Sequence, residues 1–292
     1  MGKSCIGGRR FGILLGLTLA GAISGCAGPA PQAIARPHTN AEIENCPAAD
    51  SVLPAMDSDY GRELVRQIRK LTFYPQSALS FDQSGVVQIC VELSRAGGIQ
   101  KALVRTSSGH LVLDGAALYA VGRAKAGGNL DPVPDELGIG TGNVWFAVPV
   151  TFRITGEDAP GMAPAVLTEE QDHACTTFTG QPPPIGPYVQ SREFHEYVNR
   201  LLDEIQKQVV FPPDAVAQHE EGSAYVCLVL KRDGHILKAK IQRSAGDPLF
   251  DGVVLMALGA VDLRAETGPL PSVVPGTLPF LAVALPVNWQ FP

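Results

Sequence analysis

The chain has 292 residues, 45% hydrophobic and 18% charged, with a formal net charge of −6. That is room for two modest domains, and the ordinary globular balance excludes a disordered or low-complexity protein. An acidic chain without a lysine and arginine cluster also excludes nucleic acid or anionic lipid headgroups as its main partners.

Lys3, Arg9 and Arg10 precede an apolar run from Phe11 to Ile23 that closes on Ile23-Ser24-Gly25-Cys26. A basic start, a short apolar stretch and small residues before a cut predict a secretory signal over residues 1–25. The run is too short and glycine-rich to be read first as a membrane span, which takes about 20 apolar residues. Losing it removes three positive charges and no negative one, taking the formal charge from −6 to −9. Small residues directly before a cysteine resemble the lipobox of bacterial lipoproteins, which makes Cys26 a lipid anchor. Ala27 after it, in place of Asp, then implies the periplasmic face of the outer membrane. An unmodified signal peptide and an uncleaved signal anchor are the alternatives. Several acyl chains, at about 0.8 kcal/mol per buried methylene, hold a protein to a membrane durably.

Residues 26–57 have no sustained period and are expected to form a lipidated tether and an arm that includes Cys46. The first domain, 58–155, should open with a helix capped by Asp59, its apolar positions Tyr60, Leu64, Ile68 and Leu71 recurring at helical spacing. It ends before Tyr74-Pro75. Val87, Ile89, Val91 and Leu93 alternate as a strand buried on one face, and Gly97-Gly98 turns a hairpin. The return strand should point Ala102, Val104 and Thr106 inward, with Lys101, Leu103 and Arg105 outward. A second helix over Leu111 to Lys125 and a final strand from Val144 to Ile154 complete the unit.

Residues 156–190 read as a proline- and glycine-rich linker without regular structure. The second domain, 191–292, repeats the plan. Its first helix has Ser191 as cap and Phe194, Val198, Leu201, Leu202 and Ile205 as its apolar face. Ala224, Val226, Leu228 and Leu230 face inward on the next strand, and Asp233-Gly234 turns the hairpin. Asp247-Pro248 starts the second helix with a capping acid and a proline at the first helical position. Leu281, Val283, Leu285, Val287 and Trp289 line the last strand.

The two units are copies. A shift of 137 positions lays Gly85, Cys90, Leu93, Arg95, Gly97, Ile99, Lys101, Ala102, Ser107, Gly109, Asp114, Gly115, Leu118 and Ala120 onto identical residues between Gly222 and Ala257. Pro149 falls on Pro286 and Val150 on Val287 under the same shift. The run Tyr74-Pro75, Gly85-Val86-Val87, Gly97-Gly98-Ile99 and Ser107-Ser108-Gly109-His110 through Leu113-Asp114 to Val121 resembles the TonB C-terminal domain family. Phe211-Pro212, Asp233-Gly234, Ser244-Ala245-Gly246 and Phe250-Asp251 carry the same resemblance in the second copy. The fold class is therefore α+β, two tandem TonB C-terminal-like domains, each a three-stranded antiparallel sheet with two helices.

The six histidines have no spacing that presents two ligands to one metal, and no cofactor is expected. Asp114 and Asp251 recur at equivalent positions and are read as stabilising the first turn of each second helix. Beyond Cys5 and Cys26 four cysteines remain, an even count in an exported chain. The repeat favours Cys46 with Cys90 and Cys175 with Cys227 over a cross-domain pairing or free thiols, each bridge stabilising by about 4 kcal/mol in the chain-entropy model. Both strand cysteines point away from the helix-covered face.

The resemblance implies a periplasmic protein-binding module without enzymatic activity, in which the final strand adds an extended peptide to the sheet. The candidate binding edges are Val144, Phe146, Ala147, Val148, Pro149 and Val150, and Leu281, Val283, Ala284, Leu285, Pro286 and Val287. Proline within a strand marks an edge, so Pro149 and Pro286 place both strands there; protection against aggregation is the competing reading. The partners implied are envelope proteins, outer-membrane receptors among them, with the lipid anchor as the membrane contact. A TonB-type energy transducer retained at the inner membrane is the alternative, although Ala124-Lys125-Ala126-Gly127-Gly128 stands where such domains often carry Trp-x-Phe-x-Pro. Substituting Cys26→Ser should move the protein from the membrane to the soluble periplasmic fraction on cell fractionation. Unchanged membrane association would make the apolar segment itself the anchor.

Overall fold

The computed structural model describes residues 57–128, 130–137, 142–154, 175, 187–210 and 222–289. The expected signal segment, Cys26, the expected arm with Cys46, Phe211-Pro212 and most of the expected linker lie outside the described residues.

The first helix, α1 (Asp59–Leu71), is capped by Ser58 and not by Asp59: the Ser58 hydroxyl accepts the Gly61 N–H at 2.9 Å. Ser58 has the extended backbone a cap requires, whereas Asp59 already stands in the first turn, where its charge meets the positive end of the helix. Leu64 and Ile68 are buried, with Tyr60 and Leu71 half-buried at the rim. After Tyr74, Pro75 opens a short helix that the sequence pattern did not announce, α2 (Gln76–Ser80), which buries Ala78. Strands β1 (Gly85–Leu93) and β2 (Ile99–Thr106), helix α3 (Leu111–Ala126) and strand β3 (Val144–Phe152) follow.

In the second domain a 3-10 turn, Pro187–Gln190, occupies the end of the expected linker. Helix α4 (Arg192–Gln208) is capped by Ser191, which accepts the Phe194 N–H at 3.2 Å. Its buried face is Phe194, Tyr197, Leu201 and Ile205; Tyr197 takes the place expected for Val198, which is half-buried with Leu202. Strands β4 (Gly222–Lys231) and β5 (Ile236–Arg243), helix α5 (Pro248–Leu263) and strand β6 (Phe280–Trp289) complete it. Asp247 caps α5, accepting the Leu249 N–H at 2.8 Å, with Pro248 first in the helix.

Each domain is a three-stranded antiparallel sheet, in the orders β2-β1-β3 and β5-β4-β6, with helices on one face. Leu103, expected outward, is buried, while Val104 is half-buried and Thr106 exposed. The β1–β2 pairing slips beside Gln88, and Leu103 pairs with Cys90, on a face where Cys90 is itself fully buried. That second face is therefore not a solvent face at its centre.

The two domains pack through α3 and α5, which cross at glycine. A Cβ on Gly115 would stand 2.5 Å from the Gly252 carbonyl oxygen, and one on Gly252 2.5 Å from the Tyr119 nitrogen. Further along, Gly122 abuts Leu249 at 2.3 Å and Gly259 abuts Val112 at 2.5 Å on the same construction. Real Cβ contacts do not come so close, so backbone meets backbone at these positions only because no side chain intervenes. At one end Lys125 Nζ reaches Asp247 Oδ2 at 3.1 Å and the Gly246 carbonyl at 3.2 Å. This partly exposed pair contributes under about 1 kcal/mol after solvent screening. Gly252→Ala should destabilise the chain by about 1–3 kcal/mol through overpacking. Gly276→Ala, whose Cβ would meet nothing within 4 Å, should not. Urea unfolding of both variants against wild type checks this contrast.

Candidate peptide-binding edges

Each sheet is pinned to its helices and loops by the same polar groups. Asp114 is buried in the first turn of α3 and folds back on the turn before it, accepting from the Ser108 N–H and Ser108 hydroxyl at 2.8 Å and from the Ser107 hydroxyl at 2.5 Å. Asp251 does the same for Ser244 and the Ala245 N–H, at 2.6 and 3.0 Å. Each carboxylate thus ties β2 or β5 to the helix that follows. Arg95, in the β1–β2 turn, donates to the Pro134 and Leu137 carbonyls at 3.2 and 2.9 Å. Its copy Arg232 donates to those of Val274 and Pro275 at 3.2 and 3.0 Å. These arginines hold the loop that leads into the final strand. Their place in the repeat was visible in the sequence, but their carbonyl targets have no sequence signature.

The final strands are sheet edges. β3 pairs with β1 without interruption from Gly85↔Phe152 to Leu93↔Val144, Gln88 opposite Pro149 and Cys90 opposite Ala147. β6 pairs with β4 in the same register, Tyr225 opposite Pro286 and Cys227 opposite Ala284. Val144, Phe146, Val148 and Val150 are buried against the helices, as are Leu281, Val283, Leu285 and Val287; Ala147, Pro149, Ala284 and Pro286 alternate with them, half-buried on the other face. On the helix face Tyr60 packs tilted against Phe146 and Tyr74 edge-on against Phe152, both at 5.5 Å between ring centroids. The Tyr60 hydroxyl donates to the Asp131 carbonyl at 2.7 Å, and burial pushes its pKa up to about 12.

Proline lacks a donor, so an unbroken ladder accommodates Pro149 and Pro286 where the strand's donors turn away from the central strand. Alternate residues share that direction, which places Trp145, Ala147 and Thr151, and Ala282, Ala284 and Asn288, with their main-chain groups toward the edge. The Gln206 side chain donates to the Asn288 carbonyl at 2.8 Å, in keeping with this parity. The two edges of each sheet differ in charge. β3 (VWFAVPVTF) and β6 (FLAVALPVNW) contain no Asp, Glu, Lys or Arg. On the opposite edges β2 carries Lys101 and Arg105, and β5 carries Lys238, Lys240 and Arg243.

On the face away from the helices Cys227 is joined to Cys175, Cα–Cα 5.8 Å, and the pair packs with Val229, Leu237 and Phe280. Cys90 is also disulfide-bonded. Arg243 stacks over the Tyr225 ring at 3.8 Å from its centroid. Among the described residues no group of His, Cys, Asp or Glu is placed to hold a metal ion.

A family model of the Gram-negative bacterial TonB protein C-terminal matches residues 71–154, and a second, TonB C terminal, matches residues 194–285. The chain belongs to the TonB C-terminal domain family. It is 40% identical over 97 residues to Protein TonB of Pasteurella multocida (strain Pm70), a match covering 33% of this chain and 34% of that protein. The chain thus spans about a third of the relative's length. No solved structure matches it. The two family matches fall one on each sheet, so β3 and residues 280–285 of β6 lie inside them, with Pro286 and Val287 just beyond.

Burial raises the Asp114 pKa above its ordinary 3.8, against hydrogen bonds from Ser107 and Ser108 that pull it down. A carboxyl with a raised folded pKa is held against its charge at neutral pH, and that penalty is relieved as pH falls through the folded value toward 3.8. Asp114→Asn, which breaks part of the buried network, should cost about 1–3 kcal/mol at pH 7 and more at pH 4. Paired urea unfolding of wild type and variant at the two pH values measures the difference; a smaller loss at pH 4 would mean the folded pKa is depressed.

Proposed function

We propose that this protein is an envelope protein-binding module that takes extended segments of envelope proteins, outer-membrane receptors among them, by strand addition to β3 and β6. Lipidated Cys26 holds it to the periplasmic face of the outer membrane, and Cys46 bridges to Cys90 as Cys175 does to Cys227. The observation that carries this reading is the charge difference between the edges. Proteins guard exposed edges with charged side chains, lysine above all, because unpaired main-chain groups template association. Here β2 and β5 carry that guard while β3 and β6 do not. One proline on each neutral edge shortens the run of donors without closing it, which suits reversible capture of a strand. The likeness to Protein TonB of Pasteurella multocida favours a second reading, a transducer for outer-membrane transport. It would use the same edges, and recovery of the chain in the inner membrane would separate it from the first.

Capture through main-chain pairing should depend little on any single charged side chain. A double variant, Ala147→Pro with Ala284→Pro, removes an edge-facing donor from each strand and leaves the pairing to β1 and β4 intact. It should lose envelope partners in a pull-down while its thermal unfolding stays near wild type. Full retention with unchanged stability would move the binding surface to the helices or the proline-rich linker.

A further inference from the structure

The contact between the domains has the symmetry of a homodimer. Gly115 meets Gly252, its own copy under the 137-residue shift. Gly122 meets Leu249, and Gly259, the copy of Gly122, meets Val112, the copy of Leu249. Each of these glycine contacts is returned with the partners exchanged, which is the signature of an isologous two-fold interface; the Lys125–Asp247 pair departs from it, the copy of Lys125 being Asp262, which pairs with His235 instead. The helices run antiparallel, since the partner's number falls as the residue's own number rises. With backbone against backbone there is no room to slide, so the two domains form one body.

This fixes where the two neutral edges lie. Besides packing on α3, α5 reaches β2, so β2 is the edge of the first sheet turned toward the second domain. β3 is the opposite edge of that sheet, and the pseudo-two-fold puts β6 in the equivalent place on the other domain. The edges match in sequence as well as position: Ala147 and Pro149 on one correspond to Ala284 and Pro286 on the other. They differ at their ends, where Trp145 corresponds to Ala282 and where Gln206 already holds the Asn288 carbonyl.

Resting on the strand-capture reading above, we propose that one chain binds two copies of the same extended, uncharged segment at once, supplied by a two-fold symmetric partner. The segment is uncharged because neither edge offers a countercharge, and a charge desolvated against it would be unpaired. The partner is two-fold because the two edges are related by the pseudo-axis of one body, and a two-fold assembly presents two identical segments in that same relation. Joined sites of this kind gain about 10²–10⁴-fold over either alone through effective concentration.

The test uses the full chain. A photo-crosslinking benzoylphenylalanine is placed at Ala147, at Ala284, or at both, and adducts formed in intact envelopes are resolved by mass. Both single variants should give the same adduct, and the double variant a product carrying two copies. The adduct's protein is then purified and immobilised, and chains with Ala147→Pro alone or Ala284→Pro alone are compared with wild type. Each single block should lower apparent affinity by about 10²-fold or more if the edges act together. A drop of about two-fold, as for independent sites, overturns the proposal while leaving strand capture standing. Adducts at one edge only, or different proteins at the two edges, do the same. Absence of adducts at both edges overturns strand capture as well.

Discussion

The close crossing of α3 on α5 is the constraint on which the arrangement depends. Glycine at 115, 122, 252 and 259 lets two helix backbones touch, and the surrounding faces are then too near to admit water or charge. Both helices are consequently buried nearly all round, one side against their own sheet and the other against each other. A helix apolar on every side is what a doubly covered position demands. In contrast α1 and α4, which cover their sheets from the outside, keep a clear polar face: Arg62, Arg66 and Lys70 on one, Arg192, Glu196 and Lys207 on the other.

Inside each domain the sheet and the second helix are registered by polar pins that survive duplication. Asp114 and Asp251 place a buried carboxylate on the turn before the helix, where hydrogen bonds from the serine hydroxyls and main-chain N–H groups of that turn partly offset its desolvation. Arg95 and Arg232 reach the carbonyls of the loop after the helix. These two pins bracket α3 and α5 at both ends, so the final strand enters each sheet at a set height. Its register is then fixed by alternation, since a slip of one residue would turn Phe146 and Phe152 out of the core.

What the sequence made legible is what has a local period. Strands β1, β3, β4 and β6 alternate every second residue, Asp247-Pro248 announces α5, and the repeat itself announced two like domains. The misreadings have particular causes. Ser58 and Asp59 are both good caps, and only the backbone at Ser58 decides between them. Helix α2 is five residues long, too short to show a period. Leu103 looked like a solvent position because alternation reports which face a residue takes, not whether that face is covered. Docking of the domains was hidden for the same reason: contact between α3 and α5 leaves no period along the chain. Gly122 and Gly259 were nonetheless a usable signal. They lie seven residues beyond Gly115 and Gly252, and such spacing puts two glycines on one face of a helix.

The energetics of a neutral, proline-interrupted edge connect the domain pair to the proposed activity. Each main-chain hydrogen bond to an added strand contributes about 0.5–1.5 kcal/mol net. On β3 the proline removes one of four edge-facing donors, leaving Trp145, Ala147 and Thr151 with the neighbouring carbonyls. A handful of such bonds amounts to a few kcal/mol, below or near the roughly 4–15 kcal/mol lost when two bodies become one. A single edge of this kind therefore gives weak, short-lived capture. Fastening a second edge to the first removes most of that association penalty from the second event, so modest edges together hold durably while each can still release and rebind. Strong single edges would achieve the same hold only by presenting longer unguarded strands, and those would pair with one another.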